Sequence, residues 1–109
     1  MILEKHGRET KIMLNDQPPE KGCRPSVDKL FRSGADVFRQ HVIGIILTGM
    51  GTDGTEGGKL LKRYGAPIVA QDESSSVVWG MPGSAQAAGI VDLTLPLQEI
   101  PEAIADMMK

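Results

Sequence analysis

Residues 45–61 read IILTGMGTDGTEGGKLL, with Gly49, Gly51 and Gly54 in the spacing G-x-G-x-x-G and Asp53 inside the same turn. Glycines so spaced between a strand and a helix can cradle a pyrophosphate on backbone N–H groups. An acid in the turn works against that use. Two unit charges about 4 Å apart repel by roughly 1 kcal/mol in water and about 4 kcal/mol at an effective dielectric near 20. A helix N-terminus returns only ~0.3–1 kcal/mol at an exposed site. No Lys or Arg stands between Gly49 and Gly54, and Glu56 follows closely. Asp72, an acid after the next apolar run, is what support remains for a dinucleotide-binding alternative. A carboxylate at a strand end, near helix N–H donors, is instead held ionised. Such a group orients a catalytic histidine and stabilises its imidazolium, or it caps a helix and does nothing more. Spacing alone favours capping and leaves the orienting role open.

Partners for a nucleophilic mechanism are scarce. Ser74, Ser75 and Ser76 precede a predicted short helix, where hydroxyls ordinarily cap N–H groups. His6 sits at a predicted hairpin turn among charged neighbours and reads as solvated. His41 directly precedes a strand that ends in the glycine turn. About seven residues at ~3.3 Å each put it roughly 20 Å from Asp53. Cys23 is the only cysteine and reads as a free thiol, flanked by Lys21 and Arg24. One cysteine and two histidines give no metal-site spacing and no disulfide framework.

The elements that must position Asp53 follow from periodicity. MILEKHGRETKIMLN predicts two short strands about His6-Gly7, and residues 16–25, DQPPEKGCRP, predict a loop. Ser26 suits an N-cap. Val27, Leu30, Phe31, Ala35 and Phe38 then recur at helical spacing to about Gln40. HVIGIILT, 41–48, is β-branched without alternation, as in a strand covered on both faces. A helix is predicted from Thr55 to Tyr64, ended by Gly65, and APIVAQ predicts a second buried strand. SSSVVWGMP predicts a short helix stopping at Pro82, and SAQAAG a further helical piece. IVDLTLP predicts a third, more peripheral strand. LQEIPEAIADMMK predicts a closing helix with Pro101 in its first turn. Alternating strands and helices imply an α/β fold with a mostly parallel sheet flanked by helices and an N-terminal β-hairpin.

At 109 residues the chain is one domain at most. Its 40% apolar and 24% charged content is that of an ordinary globular protein. A net charge of −2, with both signs mixed along the chain, gives no footprint for nucleic acid or an anionic membrane. Apolar runs such as VIGIILT are too short to span a bilayer. A reducing, cytoplasmic setting is expected.

Three blocks in order, RPSVDKLFRS, LTGMGTDGTEG and AQDESSSVVWGMPGSA, resemble the bacterial chemotaxis protein-glutamate methylesterases, and the resemblance runs from about residue 1 to 109. It implies an α/β domain with a Ser-His-Asp triad that hydrolyses methyl esters on chemoreceptor glutamates, and in many members deamidates receptor glutamines. No cofactor or metal is implied. By motif position Asp53 matches the triad aspartate and Met50 the residue whose backbone N–H helps form the oxyanion hole. Ser26, Trp79 and Met81 fall in loops that frame the active-site face. Cys23 stands where the family pattern has histidine. The family's serine and histidine belong to segments that precede the matching region. The chain is therefore expected to correspond to the second half of the catalytic domain, 1–109, without a receiver domain, and to be inactive alone. Its expected partners are the methylated cytoplasmic domains of chemoreceptors. A non-catalytic remnant or interaction module, forming a homo-oligomer through an exposed sheet edge, is the alternative.

Overall fold

The protein is described by a computed structural model at residues 1–14, 18, 19 and 25–109. Most of the predicted 16–25 loop, with Cys23, lies outside the described residues. An antiparallel hairpin comes first: β1 (Ile2–His6) pairs with β2 (Glu9–Met13) around Gly7 and Arg8, in register from Ile2↔Met13 to His6↔Glu9. It rests on the helix α1 (Val27–Phe38), where the Leu3 N–H donates to Ser33 Oγ at 2.8 Å.

The remaining strands form a separate three-stranded parallel sheet in the order β3 (Gly44–Ile46), β4 (Ile68–Gln71), β5 (Leu93–Leu95). Helices α2 (Thr55–Arg63) and α3 (Gly80–Ala87) make the two connections. A 3₁₀ turn (Leu97–Glu99) leads into α4 (Ile100–Met107), with Pro101 in its first turn, where no N–H is needed. The core is the cluster of Ala35, Ile46, Leu61, Ala66, Ile68, Ala85 and Ile90, with Phe31, Leu60 and Met81 packed against it.

Strand β3 and helix α3 differ from the sequence expectation. The strand predicted over 41–48 is paired only at Gly44–Ile46. Beyond it the Thr48 N–H is taken by the Gln71 side chain and the Gly49 N–H by the Val78 carbonyl, so the chain leaves the sheet. Nor is β3 covered on both faces: Ile46 is 1% exposed, but Ile45 is 38% exposed and Leu47 42%. Finally, residues 74–76 form a turn, and one helix, α3, runs through Pro82 instead of stopping there. Pro82 is the third residue of α3, inside the first turn, where its missing N–H would have no partner anyway.

Candidate active site

Asp53 closes the turn between β3 and α2. Its carboxylate reaches the start of α1: Oδ2 accepts from the Val27 N–H at 2.7 Å, and Oδ1 from the Asp28 N–H at 2.8 Å and the Ser26 hydroxyl at 3.0 Å. Ser26 also caps α1, with the Lys29 N–H reaching its Oγ at 3.4 Å. Burial, the largest single influence, opposes the charge, with Asp53 only 7% exposed. The N–H groups of Val27 and Asp28, the Ser26 hydroxyl and the Gly54 N–H together outweigh it and hold the carboxyl below its ordinary value.

The helix that follows has no cap of its own. Gly54, in the N-cap position of α2, adopts φ +98° and carries no side chain to bond the first turn. The buried Asp28 reaches across from α1 to do so, its Oδ1 accepting from Gly54 N–H at 3.0 Å and Gly57 N–H at 2.7 Å. The two helix N-termini thus cap each other.

A second set of bonds pins the other side of the turn. Thr48 Oγ1 donates to the Val78 carbonyl at 2.9 Å and accepts from the Val78 N–H at 2.8 Å. The Met81 N–H donates to the Gly49 carbonyl at 2.9 Å. Behind them the buried Gln71 takes the Thr48 N–H on Oε1 and donates through Nε2 to Ser75. Held at both ends, the turn presents Met50, 82% exposed, whose N–H meets no acceptor among the described residues. Trp79 and Met81 flank it: the Trp79 ring lies against Gly83, and the Met81 side chain against Gly49.

Of the residues singled out from sequence, Ser26, Met50 and Asp53 come together with Met81 and Trp79 around this one turn, although the Ser26 hydroxyl is turned inward to Asp53. The other candidates do not join them. His6 pairs with Glu4 at 3.1 Å on the hairpin. His41 is exposed at the start of the segment leading into β3, beside an apolar groove of about 620 Å³ lined also by Val42, Ile45, Ile104 and Met107. That groove has no residue of the Asp53 turn in its lining. Ser75 and Ser76 spend their hydroxyls on Asp72, and Asp72 receives the Ser75 N–H and hydroxyl on one oxygen. Asp72 is thereby a turn-capping acid. Among the described residues no group of three or more His, Cys, Asp or Glu side chains is placed to hold a metal ion. No helix in those residues is long and apolar enough to cross a membrane. Asp28, Thr48 and Gln71 were not singled out from sequence. An acid at the second position of a Ser-capped helix resembles any first-turn acid, and nothing in its spacing points to residues 54 and 57.

A three-stranded parallel sheet flanked by helices, with a buried carboxylate at the turn after its first strand, defines an α/β domain. Comparison with known proteins narrows the class. The profile of the CheB methylesterase family matches residues 1–104. A protein-glutamate methylesterase/protein-glutamine glutaminase 1 of Rhodospirillum rubrum is 49% identical over 100 residues, 92% of this chain and 26% of the relative. A protein of Trichodesmium erythraeum, named protein-glutamate methylesterase/protein-glutamine glutaminase, is 44% identical over 104 residues, 95% of this chain and 30% of the relative. The crystal structure of the Thermotoga maritima CheB methylesterase catalytic domain superposes with a TM-score of 0.94 at 34% identity, covering 97% of this chain and 56% of that one. The chain belongs to the CheB methylesterase family. It spans between a quarter and a third of the length of those curated relatives.

Proposed function

We propose that these 109 residues are the acid-bearing part of a protein-glutamate methylesterase acting on chemoreceptors, with Asp53 as the triad aspartate. The observation that carries this reading is the buried Asp53 carboxylate, kept ionised by the α1 N-terminus in the turn after β3. In the reaction a serine oxygen attacks the glutamyl methyl ester and histidine takes its proton, then returns it to the departing methanol. Water releases the acyl group by the reverse route. Asp53 fixes the histidine tautomer and stabilises its cationic form, and the Met50 N–H is one donor to the oxyanion. A glutamine amide enters the same chemistry with ammonia as leaving group. Neither His6 nor His41 lies at Asp53, so the histidine it orients comes from outside these residues, and the chain alone is expected to release no methanol.

A chimera tests this. The 100 matched residues of the Rhodospirillum rubrum relative are replaced by those of this chain, and methanol release from methylated receptor is followed. The chimera is expected to turn over, and its Asp53→Asn variant to lose roughly 10³–10⁴ in kcat, as when a triad base is left in the wrong tautomer. An Asp53→Asn chimera as fast as its parent would remove Asp53 from catalysis.

A second reading rests on β3, an edge strand among the described residues, with Ile45 and Leu47 partly exposed. It makes the chain a self-associating, non-catalytic module. Such a module would associate through that edge whatever residue occupies position 53.

A further inference from the structure

We propose that Asp28 is a positioning residue for Asp53, fixing which carboxylate oxygen meets the histidine; this rests on reading Asp53 as the triad aspartate. Asp28 bonds to the turn in both directions. Its N–H donates to Asp53 Oδ1 at 2.8 Å, while its own carboxylate accepts from Gly54, the next residue after Asp53, at 3.0 Å, and from Gly57 at 2.7 Å. The ring so closed runs from Asp28 N–H through the Asp53 side chain and backbone to Gly54 N–H and back to the Asp28 carboxylate. Asp53 can neither slide along the turn nor rotate its carboxylate without breaking a member of that ring.

The turn needs such a tether. Gly51 and Gly54 both hold positive φ, +89° and +98°, and glycines carry the greatest backbone freedom to be lost. An ionised carboxylate offers about four acceptor sites, two on each oxygen. Among the described residues Oδ1 accepts hydrogen bonds from Ser26 and Asp28, and Oδ2 accepts one from the Val27 N–H. Oδ2 is therefore the oxygen with capacity for an imidazole N–H. Asp28, wholly buried, keeps that assignment from being exchanged.

The test is a side-chain carboxyl NMR titration of Asp53 with amide exchange, on the full 109-residue chain and its Asp28→Asn and Asp28→Ala variants. Both substitutions remove the charge of Asp28, but only Asn retains a carbonyl oxygen for Gly54 and Gly57. Asp53 is expected to titrate at or below its parent midpoint in Asp28→Asn, and about half a pH unit or more higher in Asp28→Ala. The Gly54 and Gly57 amides should exchange at least about tenfold faster in Asp28→Ala alone. Coincident Asp53 titrations in the two folded variants would overturn the proposal. Should Asp28→Ala not fold, Asp28→Asn decides: a raised Asp53 midpoint or loss of Gly57 protection overturns it, and retention of both supports it. Unfolding of both variants also overturns it, since Asp28 would then serve the fold as a whole. A titration that behaves as expected beside an active Asp53→Asn chimera would leave the positioning intact and remove only the catalytic role of Asp53.

Discussion

Asp53 is a buried acid whose charge is maintained by Ser26, Val27 and Asp28 at the start of α1 together with the Gly54 N–H, so its ionisation is coupled to folding. Its carboxyl titrates below the ordinary value near 3.8 in the folded chain and close to that value when unfolded. The folded state then binds fewer protons than the unfolded state in the window between the two values. The stabilisation is complete above the unfolded value and is lost as pH falls through the folded one. Asp53→Ala also strands the N–H groups of Val27 and Asp28 and should cost about 2 kcal/mol at neutral pH, the range of a lost cap plus a charge-assisted bond. In urea titrations the gap between wild type and Asp53→Ala should stay constant from about pH 7 to 5 and close below about pH 4. A gap that persists unchanged to about pH 2 would mean that Asp53 acts through packing, not charge. The Lys62–Asp92 pair, 2.7 Å apart, also lowers its acid's titration against the opposing effect of burial, with the Ile68 N–H assisting, but its exposure leaves it little weight. The sequence pointed to an ionised acid at this bend and to Ser26 as a cap. It did not reveal that the donors belong to α1, because Asp53 and its partners stand 25 to 27 residues apart and no local period encodes that contact.

The clasp between carboxylates works only if α1 and α2 come close, and Gly57 is what lets them. A Cβ there would lie 2.7 Å from Phe31 Cβ and 2.8 Å from the Asp28 carbonyl, both on α1. Gly58, one residue on, is crowded differently: its Cβ would meet the end of the Ile90 side chain, Cδ1, at 2.6 Å. Alanine gains up to about 1 kcal/mol of helix propensity at either site. At Gly57 that gain is opposed by overpacking of about 1–3 kcal/mol against backbone, whereas Ile90 can rotate aside. Urea midpoints should therefore show Gly57→Ala destabilised by about 1–2 kcal/mol and Gly58→Ala within about 0.5 kcal/mol of wild type. Equal effects would show that the helices can separate freely. At this scale the sequence was most legible where period and punctuation agree. Helix α1 starts after Ser26 as expected, α2 ends before Gly65, and the hairpin turns at Gly7. It was least legible where tertiary bonding decides. Strand β3 is short because side chain and loop take its next N–H groups, and Pro82 lies in a first turn because α3 begins at Gly80, not at the serines.

Across the whole molecule the sheet is covered unequally. Register places Ile45, Val69 and Leu93 side by side, so alternation directs all three to one face. Val69 is fully buried, yet Ile45 and Leu93 are each nearly two-fifths exposed. Helix α4 borders both margins: its residues Ile104 and Met107 line the groove beside Ile45, and Ala103 and Asp106 line the one beside Leu93. The middle strand is buried and both margins are left partly bare. On the β3 side this apolar margin adjoins a strand with no second neighbour among the described residues. Parallel strands are ordinarily paired and covered on both faces, and an open edge invites a further strand. The isolated chain is accordingly expected to associate at tens of micromolar, with a mass by light scattering that rises with concentration. Ile45→Lys sets a charge into the margin without touching Asp53 or α1, and should return the chain to a monomer. A monodisperse wild-type monomer at those concentrations would show that the edge is tolerated in water. Association unchanged by Ile45→Lys would move the contact to another surface, since a lysine on an edge strand disfavours the addition of a further strand.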